Sequence, residues 1–150
     1  MFFGYNKISF EKDGKKMEAD IWHGKKGAAQ THEKTIVSEV GPVFGRHTNV
    51  IYWRKDGVPF AHEIREVTAY DLAGTTLVQF RSSLDSVVGP IKFRGDPQHA
   101  GVQFRASQDV PDKTKAKTYY IRPDGIAEPG KFRNWSAKKD ETSENLAHIN

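Results

Sequence analysis

The sequence predicts an all-β protein, an antiparallel β-sandwich laid out as a meander of hairpins. Three observations carry that prediction. Asp13-Gly14, Asp56-Gly57 and Asp124-Gly125 each sit between extended segments, and Asp-Gly suits the tight turn whose twist matches a hairpin. The segments between the turns alternate apolar and polar residues, and no long window shows a helical stripe. Nine Phe, with Val and Ile, outweigh Leu as core material, a bias towards strands.

The elements follow in order. Ile8 and Phe10 are placed to pair with Met17, Ala19 and Ile21 across the first turn. Trp22–Lys34 is rich in glycine and lysine, then polar, and reads as a loop of about a dozen residues, a length that is often functional. His47–Arg54 runs through Asp56-Gly57 into Val58–Tyr70, where Phe60, His62 and Ile64 alternate onto one face. With the turn centred there, His47 and His62 are not directly opposed. Ala73-Gly74 makes a further turn, after which Val78, Phe80, Ser82 and Leu84 share one side. Ile91–Phe93, Val102–Phe104, Thr118–Arg122 and Lys131–Trp135 continue the pattern, for roughly nine short strands at the spacing of a sandwich. Gln108–Lys117 reads as a flexible linker, and Glu141–His148 as a short helix.

A chain of 150 residues fits one domain. Met1 opens directly into Phe2-Phe3-Gly4, and Leu146–Asn150 carries neither a closing strand nor a charged tail. Missing strands leave sheet edges unpaired. The expectation is therefore a single sandwich domain over residues 1–150, or part of a larger one, incomplete at both ends. The absence of cysteine excludes disulfides, thiolate metal sites and a cysteine nucleophile. No apolar run reaches the ~20 residues of a membrane helix, and the first residues do not read as a signal peptide. The chain is expected to be soluble, with cytoplasm and export both open.

The net charge of +4 arises in one stretch: residues 109–139 hold eight Lys/Arg against four Asp/Glu, and the remainder balances at fifteen against fifteen. Tyr119, Tyr120, Phe132 and Trp135 interleave there with basic residues, the ingredients of nucleic-acid binding by stacking and phosphate contact. A solvated loop with scattered lysines has the same composition.

Two segments could carry a small-molecule site. Trp22-His23-Gly24-Lys25-Lys26-Gly27 offers a stacking face, an imidazole, cationic donors and glycines that permit close backbone approach. The same segment also reads as a tight turn with Trp22 in the core. In Gly95–Arg105, small residues flank His99, and Gln103 and Arg105 project from one face of a strand. If that face lines a concave sheet, His99, Gln103 and Arg105 converge on a cleft suited to a polyol or carboxylated ligand. An exposed face with a satisfied arginine reads equally well. Trp22, His23, His99, Gln103 and Arg105 are thus the candidate ligand-binding residues. Six histidines also raise a metal site assembled from distant strands, with His23, His47 and His99 as its ligands, although no spacing matches a short metal signature. Glu63, Glu66, Asp85 and Asp96 could supply the carboxylate pair of a glycosidase, but nothing in their spacing selects two.

Asp20–Gly24, Gly41–His47 and above all Gly89–Asp96 leading to His99–Arg105 resemble the methane oxygenase PmoA-like proteins, a bacterial group of uncharacterised function. The resemblance covers most of the chain and implies a β-rich soluble protein. Members carry a His-His-x-Gly motif just before a Phe-Phe-Gly-Tyr-Asn-like segment. Phe2–Asn6 matches that segment, while Met1 stands where the histidine motif would end. The readings of function that result are carbohydrate binding or sugar modification in a shallow cleft, a histidine metal site supporting oxidation or hydrolysis, and nucleic-acid binding through residues 109–139. The cofactor stays open.

Overall fold

The computed structural model describes residues 2–96, 99–103, 107–119, 121–122, 125–126 and 128–129. In chain order the strands are β1 (Phe2–Tyr5), β2 (Lys7–Lys12), β3 (Lys15–Ala19), β4 (Ala28–Val40), β5 (Phe44–Lys55), β6 (Val58–Leu72), β7 (Thr75–Ser86), β8 (Ile91–Arg94), β9 (Ala100–Gln103), β10 (Ile121–Arg122) and β11 (Gly125–Ile126). A four-stranded sheet runs β4-β5-β6-β7 and a three-stranded sheet runs β3-β2-β8, while β1 pairs with β9 and β10 with β11. Every pairing is antiparallel, and the architecture is all-β and sandwich-like.

The tight turns behave as their dipeptides predict. Asp13 and Gly14 both have positive φ (51° and 72°), as do Asp56 and Gly57 (50° and 79°). That is the conformation a type I′ turn demands at both central positions. The first turn sets Ile8 opposite Ala19 and Phe10 opposite Met17. The second sets Lys55 opposite Val58; one register shift farther along, His47 lies opposite Val67 and His62 opposite Tyr52, so the two histidines are indeed not partners.

The core lies where the two larger sheets meet. Ile8 and Phe10 of β2, Ala19 of β3 and Ile21 pack with Ile51 and Trp53 of β5 and with Phe60 and Ala61 of β6. A register shift between Trp53 and Arg54 leaves an extra residue on β6. The bulge directs consecutive residues inward: Phe60 is 1% exposed and stacks on Phe10 at 4.6 Å, and Ala61 is fully buried. Phe60 therefore does not share the face of His62 and Ile64, which strict alternation predicts for it.

β1 lies across this core. Phe3 packs edge-on against Trp53 and Phe80 (5.5 and 5.7 Å), and Tyr5 lies tilted against Phe93 (5.0 Å). Gln30 Nε2 donates to the Phe3 carbonyl at 2.8 Å and ties β1 to the large sheet. Beneath Phe3, Glu63 is fully buried and accepts from Trp53 Nε1 (2.6 Å), Arg65 Nε and Nη2 (both 2.8 Å) and Ser82 Oγ (2.8 Å). The Arg65 guanidinium also lies over the Phe3 and Phe80 rings. The buried charge is thus paired and its oxygens saturated, as a carboxylate out of water requires.

Three expectations from sequence are corrected. The Trp22–Lys34 loop ends early, because β4 begins at Ala28 and runs to Val40. This is an edge strand with most side chains in water and two register shifts, so its polarity reflects position rather than irregular backbone. Gln108–Lys117 is no linker throughout: Val110–Thr114 forms a π-turn and Lys115–Lys117 a 3-10 turn. The hairpin expected at Asp124-Gly125 forms between β10 and β11, but Gly125 lies in β11, opposite Arg122, rather than in its turn. The strand expected at Lys131–Trp135 and the helix at Glu141–His148 lie outside the described residues.

Candidate functional site

The turn from Asp20 to Gly27 is built against β1. The Tyr5 carbonyl accepts from both Ile21 N (3.0 Å) and Trp22 N (3.1 Å), and Lys25 N donates to the Asp20 carbonyl. Gly4 makes the approach feasible, since a Cβ there would stand 3.0 Å from Phe2 and 3.2 Å from Ile21. Gly24, Lys26 and Gly27 all adopt positive φ, which closes the turn and returns the chain to Ala28. Ile21 enters the core, and Trp22 turns outward to lie half-buried against Phe2, with ring centroids 4.5 Å apart.

Asp20 does two things at the head of this turn. Its carboxylate accepts from the His23 backbone N–H (2.9 Å) and from His23 Nδ1 (2.8 Å). Across the site the same arrangement recurs: His99 Nδ1 meets Asp96 Oδ1 at 2.5 Å, again three residues away. Asp96 is itself steadied by Asn6 Nδ2 at 2.8 Å, and the Asn6 backbone N–H donates to the His99 carbonyl at 3.0 Å. Gly95 allows this packing, because a Cβ there would come within 2.7 Å of Ala100 Cβ and 3.0 Å of Asn6 Oδ1.

The two dyads meet. The rings of His23 and His99 lie 4.9 Å apart, and Trp22 stands edge-on to His99 at 5.6 Å. An ionised carboxylate can only accept, so each Nδ1 carries a proton, and the lone pair of the ring in its neutral form belongs to Nε2, on the far edge of the ring. Both histidine side chains are about one-third exposed, at 34% and 32%. The result is a pair of oriented basic nitrogens beside an aromatic platform.

Trp22, His23 and His99, read from sequence as candidates, are therefore brought into mutual contact. Gln103 sits on β9 opposite Phe2, the residue against which Trp22 packs, and so borders the group. Arg105 lies outside the described residues. His47 is not part of the cluster: it is exposed on β5, opposite Val67 in the four-stranded sheet, and among the described residues no three His, Asp or Glu side chains are grouped to hold a metal. Glu63, named as one candidate of a glycosidase pair, is locked in the buried network beneath Phe3. Tyr120, Phe132 and Trp135 of the basic stretch also lie outside the described residues. Sequence reasoning passed over Asp20 as the partner of His23 and Asp96, a candidate only for a glycosidase pair, as the partner of His99, and it passed over Asn6. A signal was present for the first two, since Asp20-Ile21-Trp22-His23 and Asp96-Pro97-Gln98-His99 repeat one Asp-x-x-His spacing.

Beside the dyads lies a cleft of about 630 Å³, walled by the outward face of β2, β3 and β8 and by the Asp20–Gly27 turn. Asn6 and Asp20, which hold the two dyads, both line it. No helix among the described residues is long and apolar enough to cross a membrane.

No curated protein and no solved structure is similar enough to this chain to count as a match. A family model does match, over residues 1–147, and the chain belongs to that family, DUF6807, a family of unknown function.

Proposed function

We propose that this chain handles a carbohydrate at Trp22, His23 and His99. The observation that carries the reading is the pair of Asp-anchored imidazoles meeting beside a half-buried tryptophan. A sugar ring presents an apolar C–H face, which stacks on an indole, and a rim of hydroxyls, which donate to oriented nitrogen lone pairs. Binding needs only these contacts. Sugar modification adds one step: an oriented Nε2 takes a proton from a hydroxyl or an acidic carbon, the role imidazoles fill in general base catalysis. The aspartate behind each ring holds the tautomer and the ring's orientation.

The test is a glycan array with the full chain, followed by titration monitored through tryptophan fluorescence. A saccharide that shifts the emission of the native protein and not of Trp22→Ala supports the reading. Silence of the whole array overturns it.

One observation favours a second reading, a histidine metal site. A carboxylate behind each imidazole is also the outer shell that orients metal-ligating histidines. His23 and His99 would supply two ligands, and a third would have to come from outside the described residues. Metal analysis of the purified full chain decides it: a stoichiometry near zero removes this reading and leaves the first untouched.

A further inference from the structure

We propose that the cleft beside the dyads is an anion site, and that the saccharide handled by the imidazoles is an acidic one. The second half rests on the carbohydrate reading; the first stands on the cleft alone.

The argument begins with register. Lys7 of β2 lies directly opposite Arg94 of β8, and both line the cleft. Like charges at paired positions of an antiparallel ladder repel. Neither side chain forms an ion pair among the described residues. Lys25 and Lys26 face the same space from the turn, and they too lack a carboxylate partner among the described residues. Against these four cations the cleft wall offers Glu18 and Asp20, and Asp20 already accepts from the backbone N–H and imidazole of His23. Four cations around one uncommitted carboxylate leave a positive field focused in a concave space.

The neighbouring cleft on the same sheet face gives the contrast. It is larger, about 1020 Å³, but sets three carboxylates, Glu11, Asp13 and Glu18, against the four cations Lys12, Lys16, Lys92 and Arg94. The cleft that touches the dyads, with four cations against two carboxylates, thus carries the larger positive excess. Its wall residues Asp20 and Asn6 reach the imidazoles directly or through Asp96, so one ligand can place an anionic group among the cations and its hydroxyls against Nε2 of His23 and His99. A carboxylate of a sugar acid and a sulfate ester share this chemistry. Arg94 pairs with either in a two-pronged fashion, and the lysines act as point charges.

The experiment is calorimetric titration of the full chain with a uronate oligosaccharide, its neutral counterpart, a sulfated oligosaccharide and inorganic sulfate, at low and high salt. These are repeated with Lys7→Gln, and thermal unfolding is recorded alongside. The expected result is salt-sensitive binding of one acidic saccharide, weakened about tenfold in Lys7→Gln and undetected for the neutral counterpart, as loss of one charge-assisted contact predicts. The uronate and sulfated arms tell which acid is taken. Without ligand and at low salt, Lys7→Gln should melt about 1–2 °C higher, because the cross-strand repulsion is relieved. Equal binding of acidic and neutral saccharides, unaffected by Lys7→Gln, overturns the anion site and leaves the carbohydrate reading standing. Lys7-dependent binding of inorganic sulfate with no saccharide bound supports the anion site and overturns the carbohydrate reading. Binding of none of the four ligands overturns both.

Discussion

Glu63 and the pair Asp20 and Asp96 are carboxylates that meet nitrogen donors at similar distances, yet their surroundings differ in kind. Glu63 is fully buried and takes hydrogen bonds from Trp53, Arg65 and Ser82, which come from three strands of one sheet. No lone pair is left facing a ligand, and no solvent reaches it. Asp20 and Asp96 are 25% and 30% exposed, and each grips, through Nδ1, an imidazole three residues away that is itself about one-third exposed. A carboxylate saturated by donors from several strands locks a fold. One that holds a single imidazole in a turn orients a base. The first kind is an answer to desolvation, the second to pre-organisation.

The largest expected effect breaks the first kind. Glu63→Ala leaves the partly buried Arg65 guanidinium with Gln30 Oε1 but without its carboxylate, and orphans Trp53 Nε1 and Ser82 Oγ. Removing one partner of a buried pair costs about 3–5 kcal/mol, or roughly 10 °C in Tm for a chain of this size. Differential scanning calorimetry reads it. A fall of a degree or two would mean that water enters beneath Phe3 and solvates the arginine.

Next comes the point at which fold and site touch. Gly95→Ala puts a methyl within 2.7 Å of Ala100 Cβ and 3.0 Å of Asn6 Oδ1, and both neighbours support the Asp96–His99 dyad. Forcing a methyl into close packing costs about 1–3 kcal/mol. The displacement should also loosen His99 from His23. Two-dimensional NMR of the histidine side chains should therefore show His99 shifts moving while those of His62, on β6, stay in place. Equal movement of both would indicate general destabilisation.

The contrast also explains what could be read from the chain alone. Asp13-Gly14 and Asp56-Gly57 were legible because a two-residue turn sets its own backbone, and with it the register of Ile8 on Ala19 and of Lys55 on Val58. The pairings β1–β9 and β2–β8 were not, since they join segments some ninety residues apart that carry no local signal. β4 was hidden by its polarity. The charge of Glu63 marked it as a surface or catalytic residue, and only the arrival of Arg65, Trp53 and Ser82 around it makes it core. At the site, Trp22, His23 and His99 stood out by residue type. Asp20 did not, and Asp96 did so only as a glycosidase carboxylate, because an acid three residues from a histidine acquires meaning only when a second such pair folds against it.

The smallest effect on stability sharpens the second half of the comparison. In Asp20→Asn the amide oxygen can still accept from the His23 N–H or from Nδ1, so the turn should hold and the change in stability should stay within about 0.5 kcal/mol, as for most surface substitutions. What is lost is the charge behind the ring. An amide can also donate, and it then favours the tautomer with the lone pair at Nδ1 and the proton at Nε2, which reverses the nitrogen offered to a ligand. Substitutions of this outer layer typically cost about 10–100-fold in affinity or activity. Asp20→Asn should therefore melt with the native protein yet bind the ligand at least about tenfold more weakly, whereas Glu63→Gln, an equally small change of atoms, should lower the melting temperature. If both variants proved silent on stability and on binding, the distinction between a carboxylate that locks and one that orients would not hold here.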